Sequence, residues 1–254
     1  PMTDREPSEF RQRLLRGETL LGTMLTLPSP SAAELLSASG FDWLFIDGEH
    51  GPLGPGELLA ILQAIAGRTA ALVRVPTGDG RAIQRALDLG ADGVIVPQVN
   101  TAAQAAAVVG QARYAPLGGR GVGLARAHGY GFDFQNYLSS ANDRNTVVVQ
   151  AEHIQAVENI EEIVRVPGVD AILLGPYDLS ASLGRTGQLD DPVVVAAIER
   201  VIAVCQQARI PIGYFGVSAA AVQPFRQRGC TLLVAGVDTL LLGSAARRLL
   251  AELQ

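Results

Sequence analysis

The sequence predicts a (β/α)8 TIM barrel. Three observations carry that prediction. Eight apolar runs alternate with eight amphipathic stretches along 254 residues. The runs are unbroken and rich in Val, Ile and Leu, as expected of parallel strands covered on both faces. Glycines and small polar residues mark most changes of period, where helices stop and start. About 250 residues is the usual length for eight such units closed into a barrel. An open doubly wound sheet is the alternative arrangement of the same units.

In chain order, LLGTMLTL (20–27) precedes helical SAAELLSAS (31–39), and DWLFID (42–47) precedes GELLAILQAIAG (56–67). AALVRVP (70–76) precedes GRAIQRALDLG (80–90), and GVIVPQV (93–99) precedes AAQAAAVVGQAR (102–113). A Gly- and Arg-containing stretch, 116–132, follows, with an extra helix expected over 133–144. TVVVQAEH (146–153) leads into IQAVENIEEIVRV (154–166), and DAILLGP (170–176) precedes PVVVAAIERVIAVCQQA (192–208). PIGYFGV (211–217) precedes SAAAVQPFRQRG (218–229), and TLLVAGV (231–237) precedes DTLLLGSAARRLLAELQ (238–254). Ser31, Ser218 and Asp238 are the expected N-caps. Gly40, Gly67, Gly90 and Gly229 are the expected helix stops. No linker divides the chain, so residues 1–254 are expected to form one domain. Pro1 ahead of Met2 reads as a cloning remnant.

Composition removes several function classes. The formal charge is −5 with no basic run, which argues against a nucleic-acid partner. No segment is long and apolar enough to span a membrane, and the N-terminus lacks the apolar stretch of a secretion signal. Cys205 and Cys230 form neither a metal spacing nor a disulfide framework, so a reducing, cytoplasmic setting is expected. All 20 basic residues are arginine. A Schiff-base aldolase, a pyridoxal-phosphate enzyme and a Walker-type nucleotide site each need a lysine, so none of them is expected in its ordinary form.

In a barrel the active site lies at the C-terminal strand ends. Strand 2 ends in Asp47, Glu49 and His50. Strand 3 carries Arg74, which interrupts an apolar run. Strand 5 ends in Gln150, Glu152 and His153, and Asp178 follows strand 6 in GPYDLS. Gathered at one mouth, these charges are costly unless paired or bound to an ion. A hard divalent cation held by carboxylates, with an arginine facing an anionic substrate, accounts for them. Each residue also has a plainer role: Glu152 opening a helix, Asp178 capping a turn, His50 structural. His153 is expected to face away from the site and His128 to lie at the surface or rim. GGRGVG (118–123) does not follow a strand, so it fails as a phosphate loop. The loops after strands 7 and 8 carry no cation, and Asp238 disfavours a phosphorylated substrate.

AELLSASGFDWLFIDGEHGP, LVRVP, RGVG, VVVQAEH and LLGPYDLSASLG occur in an order and spacing that resembles the HpcH/HpaI family of metal-dependent pyruvate aldolases. The resemblance covers roughly residues 6–252. It implies reversible cleavage of a 4-hydroxy-2-oxo acid, such as 4-hydroxy-2-oxoheptanedioate, 2-dehydro-3-deoxyglucarate or 2-keto-3-deoxyrhamnonate, to pyruvate and an aldehyde. By this resemblance Glu152 and Asp178 bind Mg2+ or Mn2+, with Co2+ a further candidate. His50 is the acid/base and Arg74 binds the 2-oxo group. Asp88 pairs with His50. Asp47 and Glu49 hold metal-bound water, Gln150 contacts substrate, and the amides around Tyr177 and Asp178 receive its carboxylate. Phe215 stands where the aldehyde pocket would lie. The family also implies a homo-hexamer with the eighth helix packed on a neighbouring subunit. An oxaloacetate-type decarboxylase on the same metal site, and a non-catalytic 2-oxo-acid-binding barrel, are the two alternatives.

Overall fold

A computed structural model describes residues 8–254, so Pro1 lies outside the described residues. Eight strands pair in sequence order and close into an all-parallel barrel. They are β1 (Leu20–Leu25), β2 (Trp43–Asp47), β3 (Ala70–Arg74), β4 (Gly93–Val96), β5 (Thr146–Ala151), β6 (Ala171–Leu174), β7 (Ile212–Gly216) and β8 (Leu232–Val237). The expected barrel is observed, with all eight strands in their expected places.

The helices are α1 (Ser8–Leu15), α2 (Pro30–Ser37), α3 (Pro55–Ile65), α4 (Gly80–Asp88), α5 (Ala102–Ala112) and α6 (Phe134–Arg144). They continue as α7 (Ile154–Glu158), α8 (Ile160–Ile163), α9 (Pro176–Ser182), α10 (Pro192–Ala208), α11 (Ala219–Gln227) and α12 (Asp238–Leu253). Three differ from expectation. The helix expected over 154–166 is broken at Asn159 into α7 and α8. The strand 6 turn winds into α9. A leading helix, α1, places Phe10 and Leu14 in the interior cluster with Trp43 and closes the N-terminal end of the barrel.

Of the three expected N-caps Ser218 is observed, while Ser31 gives way to Ser29 and Asp238 is the first residue of α12, with Val237 at its N-cap. Ser218 accepts the amide of Ala221 as expected, whereas Ser29 rather than Ser31 caps α2 because Pro30 opens that helix. Asp238 accepts from the Thr26 and Leu27 amides and the Thr26 hydroxyl, so it ties the end of β1 to β8 as well as meeting the Thr239 amide. Gly40, Gly67, Gly90 and Gly229 all adopt positive φ at their helix ends.

Strand alternation divides the core in two. Leu20, Trp43, Phe45, Leu72, Ile95, Val148 and Leu173 fill the barrel interior. Leu44, Ile46, Val73, Val147 and Ile172 face the helix layer. Gly22 makes room for the Trp43 indole, since a Cβ there would come within 2.6 Å of it. Among the described residues no helix is long and apolar enough to cross a membrane.

Two glycines give the packing a direct test. A Cβ on Gly93 would sit 2.5 Å from the Thr146 carbonyl oxygen of β5, whereas one on Gly110 of α5 meets nothing within 4 Å. Gly93→Ala is expected to destabilise the fold by about 1–3 kcal/mol through forced strand displacement. Gly110→Ala is expected to stabilise it by about 0.5–1 kcal/mol through helix propensity. Urea unfolding of the two variants checks both signs.

Candidate active site

The alternation that buries Trp43 and Phe45 in the barrel also turns Asp47 inward. Ala70 and Leu72 do the same for Arg74, and Val148 for Gln150 and, two residues on, Glu152. All four polar side chains are buried. Parallel register sets Asp47 opposite Arg74. The pair is bidentate: Nε donates to Oδ1 at 2.9 Å and Nη2 to Oδ2 at 2.8 Å. Arg74 Nη1 lies 3.1 Å from Glu49 Oε2 and donates to Gln150 Oε1 at 3.5 Å. Gln150 Nε2 in turn donates to Glu152 Oε2 at 2.8 Å. The Phe45 ring packs 5.2 Å from the guanidinium carbon.

Asp47 Oδ1 also accepts the backbone amides of Glu49 and His50, at 3.1 and 3.2 Å. One carboxylate therefore fixes both the arginine and the turn that carries His50. The His50 ring is mostly exposed, with Nε2 3.7 Å from Glu49 Oε2. A cavity of about 350 Å³ at this mouth gathers Asp47, His50, Arg74, Gln150, Tyr177, Asp178 and Phe215. Glu152 and Glu49 join it through the contacts just described. His153 caps α7 by accepting the Gln155 amide on Nδ1.

One contributor has no residue-type signal in the sequence. The backbone amide of Gln98, just beyond β4, donates to Glu152 Oε1 at 2.8 Å, and Gln98 adopts φ +55°. A backbone donor has no side-chain signature. The only hint was the uncharged VPQVN segment at a strand end. Gly175 is required beside the same carboxylate, because a Cβ would lie 2.7 Å from Glu152 Oε2.

Asp88 stands apart from this group. α4 begins near the barrel mouth at its Asp79 cap and runs back, so its last residue sits at the opposite end of the barrel. There Asp88 accepts from Arg120 Nη2 at 2.5 Å and from Gln84 Nε2 at 3.3 Å. Within one chain it is not brought to His50. GGRGVG is anchored by the same ion pair. His128 corrects a second expectation: it is fully buried, not at the rim. Its Nδ1 accepts the Ala125 amide, its Nε2 lies 3.3 Å from the Tyr114 hydroxyl, and its ring packs edge-on against Tyr137.

The carboxylates sit in opposed electrostatic states. Burial pushes Asp47 up, but the Arg74 hydrogen bonds and charge outweigh it and hold Asp47 below the usual carboxylate range. Burial pushes Glu49 up. Burial pushes Glu152 up to about 7; the Gln98 amide opposes the rise, and the charges of Asp178 and Glu49 add to it. Among the described residues no cluster of three or more His, Cys, Asp or Glu stands at metal-holding separations. Asp47 is taken by Arg74, which leaves Glu152 and Asp178, whose charges act on each other, as the carboxylates not bound to the guanidinium in two-point fashion. Their hard oxygens, and the under-compensated charge on Glu152, fit a divalent cation.

A parallel barrel with carboxylates and an arginine converging at its C-terminal mouth is an enzyme site of the metal-assisted kind. The chain belongs to the HpcH/HpaI aldolase/citrate lyase family, whose profile matches residues 21–245. It is 40% identical over 245 residues to a 2-keto-3-deoxy-L-rhamnonate aldolase of Klebsiella pneumoniae, covering 95% of this chain and 91% of that one. It is 39% identical over 245 residues to a hydroxypyruvate/pyruvate aldolase of Pseudomonas aeruginosa, covering 95% and 91%. The structure of an HpcH/HpaI aldolase/citrate lyase family protein from Burkholderia cenocepacia superposes with a TM-score of 0.93 at 38% identity, covering 97% of this chain and 99% of that one.

The raised Glu152 carries a pH prediction. The unfolded glutamate loses its proton near its ordinary value of 4.5 and the folded one near 7. Fold stability contributed by this group is therefore full below about 4.5 and is lost as pH rises to about 7. Metal affinity runs the other way, because the ion needs the carboxylate. Below pH 7 the affinity for Mn2+ is expected to fall about tenfold per pH unit. Calorimetric titrations at pH 6, 7 and 8 check this; a flat profile would contradict it.

Proposed function

We propose that this protein is a divalent-metal-dependent aldolase, a carbon–carbon lyase that reversibly cleaves a 4-hydroxy-2-oxo acid to pyruvate and an aldehyde. The observation that carries the reading is the buried row Asp47–Arg74–Gln150–Glu152, opening on a cavity that also holds His50 and Asp178. Family membership and the named aldolases among its relatives support the same reaction. Glu152 and Asp178 would hold the metal, Mg2+ or Mn2+ in the first instance and Co2+ in the second. Bound there, the ion supplies Lewis-acid stabilisation of negative charge on the 2-oxo group.

The chain's own residues supply the rest. Arg74 keeps an N–H on Nη2 beyond the one given to Asp47, and donates it to the 2-oxo oxygen as charge develops there. His50 takes the C4 hydroxyl proton as the C3–C4 bond breaks, with the bonding pair passing into the enolate and C4 becoming the aldehyde carbonyl. Protonation at C3 completes pyruvate. Gln150 has both ends of its amide engaged, so it holds Arg74 and Glu152 in mutual position. Asp47 sets the His50 turn. The amides of Tyr177 and Asp178, at the start of α9, receive the substrate carboxylate.

The assembly we propose is a homo-hexamer with α12 packed on a neighbouring subunit. In the isolated chain α12 leaves Leu240, Leu241, Leu242, Leu249, Leu250 and Leu253 exposed. If Asp88 pairs with His50, the two come from different subunits, since one chain holds them at opposite ends of the barrel.

Arg74→Ala should lower kcat by 10²–10³-fold, about 2.7–4 kcal/mol, if it acts as an oxyanion donor. Chelator should abolish turnover. His50→Ala should stop aldol cleavage while sparing decarboxylation of oxaloacetate. Steady-state kinetics with Mn2+ decides these points, and near-normal kcat in Arg74→Ala would end its assigned role. Light scattering should give the mass of six chains, and Leu242→Arg should reduce it by burying a charge in the interface.

A further inference from the structure

We propose that the N-terminal end of the barrel carries a second binding site, for an amino acid with an apolar side chain, its ammonium held by Asp92 and its carboxylate by Arg144 and Asn145. Thr69, Asp92 and Asn145 directly precede β3, β4 and β5, at the end remote from His50. A cavity of about 440 Å³ opens beside them, walled by the end of α3 and the turn at 126–131. Small-molecule sites commonly enclose about 300–1,000 Å³. The aldolase reading gives this cavity no role, and the two stand independently.

The polar groups here are unspent. Asn145 is 4% exposed. Its backbone is fixed on both sides, the N–H donating to the Ala141 carbonyl and its own carbonyl accepting from Arg113 Nη1. Its side-chain Nδ2 is buried and has no hydrogen-bond partner among the described residues. A buried amide donor left unmet is costly, so this group calls for an acceptor oxygen. Arg144 lines the same cavity and forms no ion pair among the described residues. Asp92 Oδ2 accepts the Ala71 amide at 2.8 Å, while Oδ1 accepts nothing from the described residues. Desolvation pushes Asp92 up to about 6, against the Ala71 amide and the charges of Arg144 and Arg126. An open carboxylate oxygen and an orphaned donor thus face one cavity. A ligand that meets both carries a donor and an acceptor together.

Charge chooses the class. Arg126 spans two helix ends, donating to the Leu89 carbonyl at the end of α4 and the Leu62 carbonyl in the last turn of α3, where the helix dipoles are negative. Gly90 makes room for it, since a Cβ there would collide with Nη1. Arg126 and Arg144 stand with Asp92 and Asp133 around the cavity, two charges of each sign. A zwitterion matches that lining better than a dianion or a bare cation. Leu62, Ile65, Ala91 and Ala127 supply the apolar wall. Arg126 and Tyr130 also border the groove at Asp88, which faces a neighbour if Asp88 pairs with His50 across subunits. Asp92, Arg144 and Asn145 do not border it.

Calorimetry on the whole protein tests this with three probes. They are L-leucine, 4-methylpentanoate (leucine without its amine) and 3-methylbutylamine (leucine without its carboxylate). Leucine should bind at millimolar concentration or below, and each truncated probe about 10–100-fold more weakly, the loss of one charge-assisted hydrogen bond. Asp92→Asn keeps an acceptor for the Ala71 amide. It should weaken leucine by the same factor and leave 4-methylpentanoate unchanged. Arg144→Gln should weaken leucine and 4-methylpentanoate and leave 3-methylbutylamine unchanged. Adding Mg2+ and pyruvate should not move the leucine affinity. The ranking of the three probes on the unaltered protein decides the matter even where a variant fails to fold. No leucine binding, equal binding of leucine and 4-methylpentanoate, or displacement of leucine by Mg2+ with pyruvate overturns the proposal.

Discussion

Arg74 and Asp47 face each other across β2 and β3, and the site is built outward from that buried pair. Breaking a buried ion pair strands a charge, at a cost of about 3–5 kcal/mol. The pair is therefore a rigid reference from which weaker contacts take their direction. Asp47 Oδ1 reaches the amides of Glu49 and His50, so the same carboxylate that holds the arginine shapes the turn carrying His50. On the other side Gln150 Oε1 accepts from Arg74, which leaves only its NH2 group to meet Glu152. Orientation passes from an ion pair to the Glu152 carboxylate through one amide that has no second choice.

Asp47 and Glu152 share one mouth and one degree of burial, yet titrate in opposite directions. The difference lies in their donors. Asp47 receives a guanidinium at bidentate range, while Glu152 receives two neutral amides, from Gln98 and Gln150, and has Asp178 and Glu49 as charged neighbours. Neutral donors fix the position of a carboxylate without cancelling its charge. That combination, held in place but under-compensated, suits a ligand for a cation. Tying both carboxylates to arginines would have left nothing for the ion to neutralise.

Most of the barrel was legible because apolar runs and glycine stops are local and repeated. The site was legible where a charged residue broke such a run: Arg74 within ALVRVP, and Asp47 at the end of DWLFID. Its missing parts are of other kinds. The Gln98 amide carries no residue-type signal, and a left-handed φ at a glutamine is invisible in composition. His128 is buried by Tyr114, Tyr137 and Phe134, which lie apart in the sequence, between 114 and 137, and which the 116–132 loop folds together. The pairing of Asp88 with His50 is implied by the family resemblance alone. The direction of α4 along the barrel puts it at the other end, where Arg120 claims it. Ser29 rather than Ser31 caps α2 because Pro30, with its fixed φ and no N–H, is suited to the first helical position.

The absence of lysine fixes how such a site must handle carbanion charge. A lysine amine can form an imine with the 2-oxo carbon and so provide a covalent electron sink. A guanidinium stays protonated and forms no such bond under these conditions. In this chain the charge that leaves the breaking C–C bond has to be met electrostatically, and electrostatic stabilisation is strong only where water is excluded and the donors are already aligned. Both conditions hold at Arg74. Its guanidinium lies over the Phe45 ring inside the barrel, is locked by Asp47, and is raised in pKa by that partner against the opposing effect of burial. The barrel's apolar interior and its charged mouth meet at this residue.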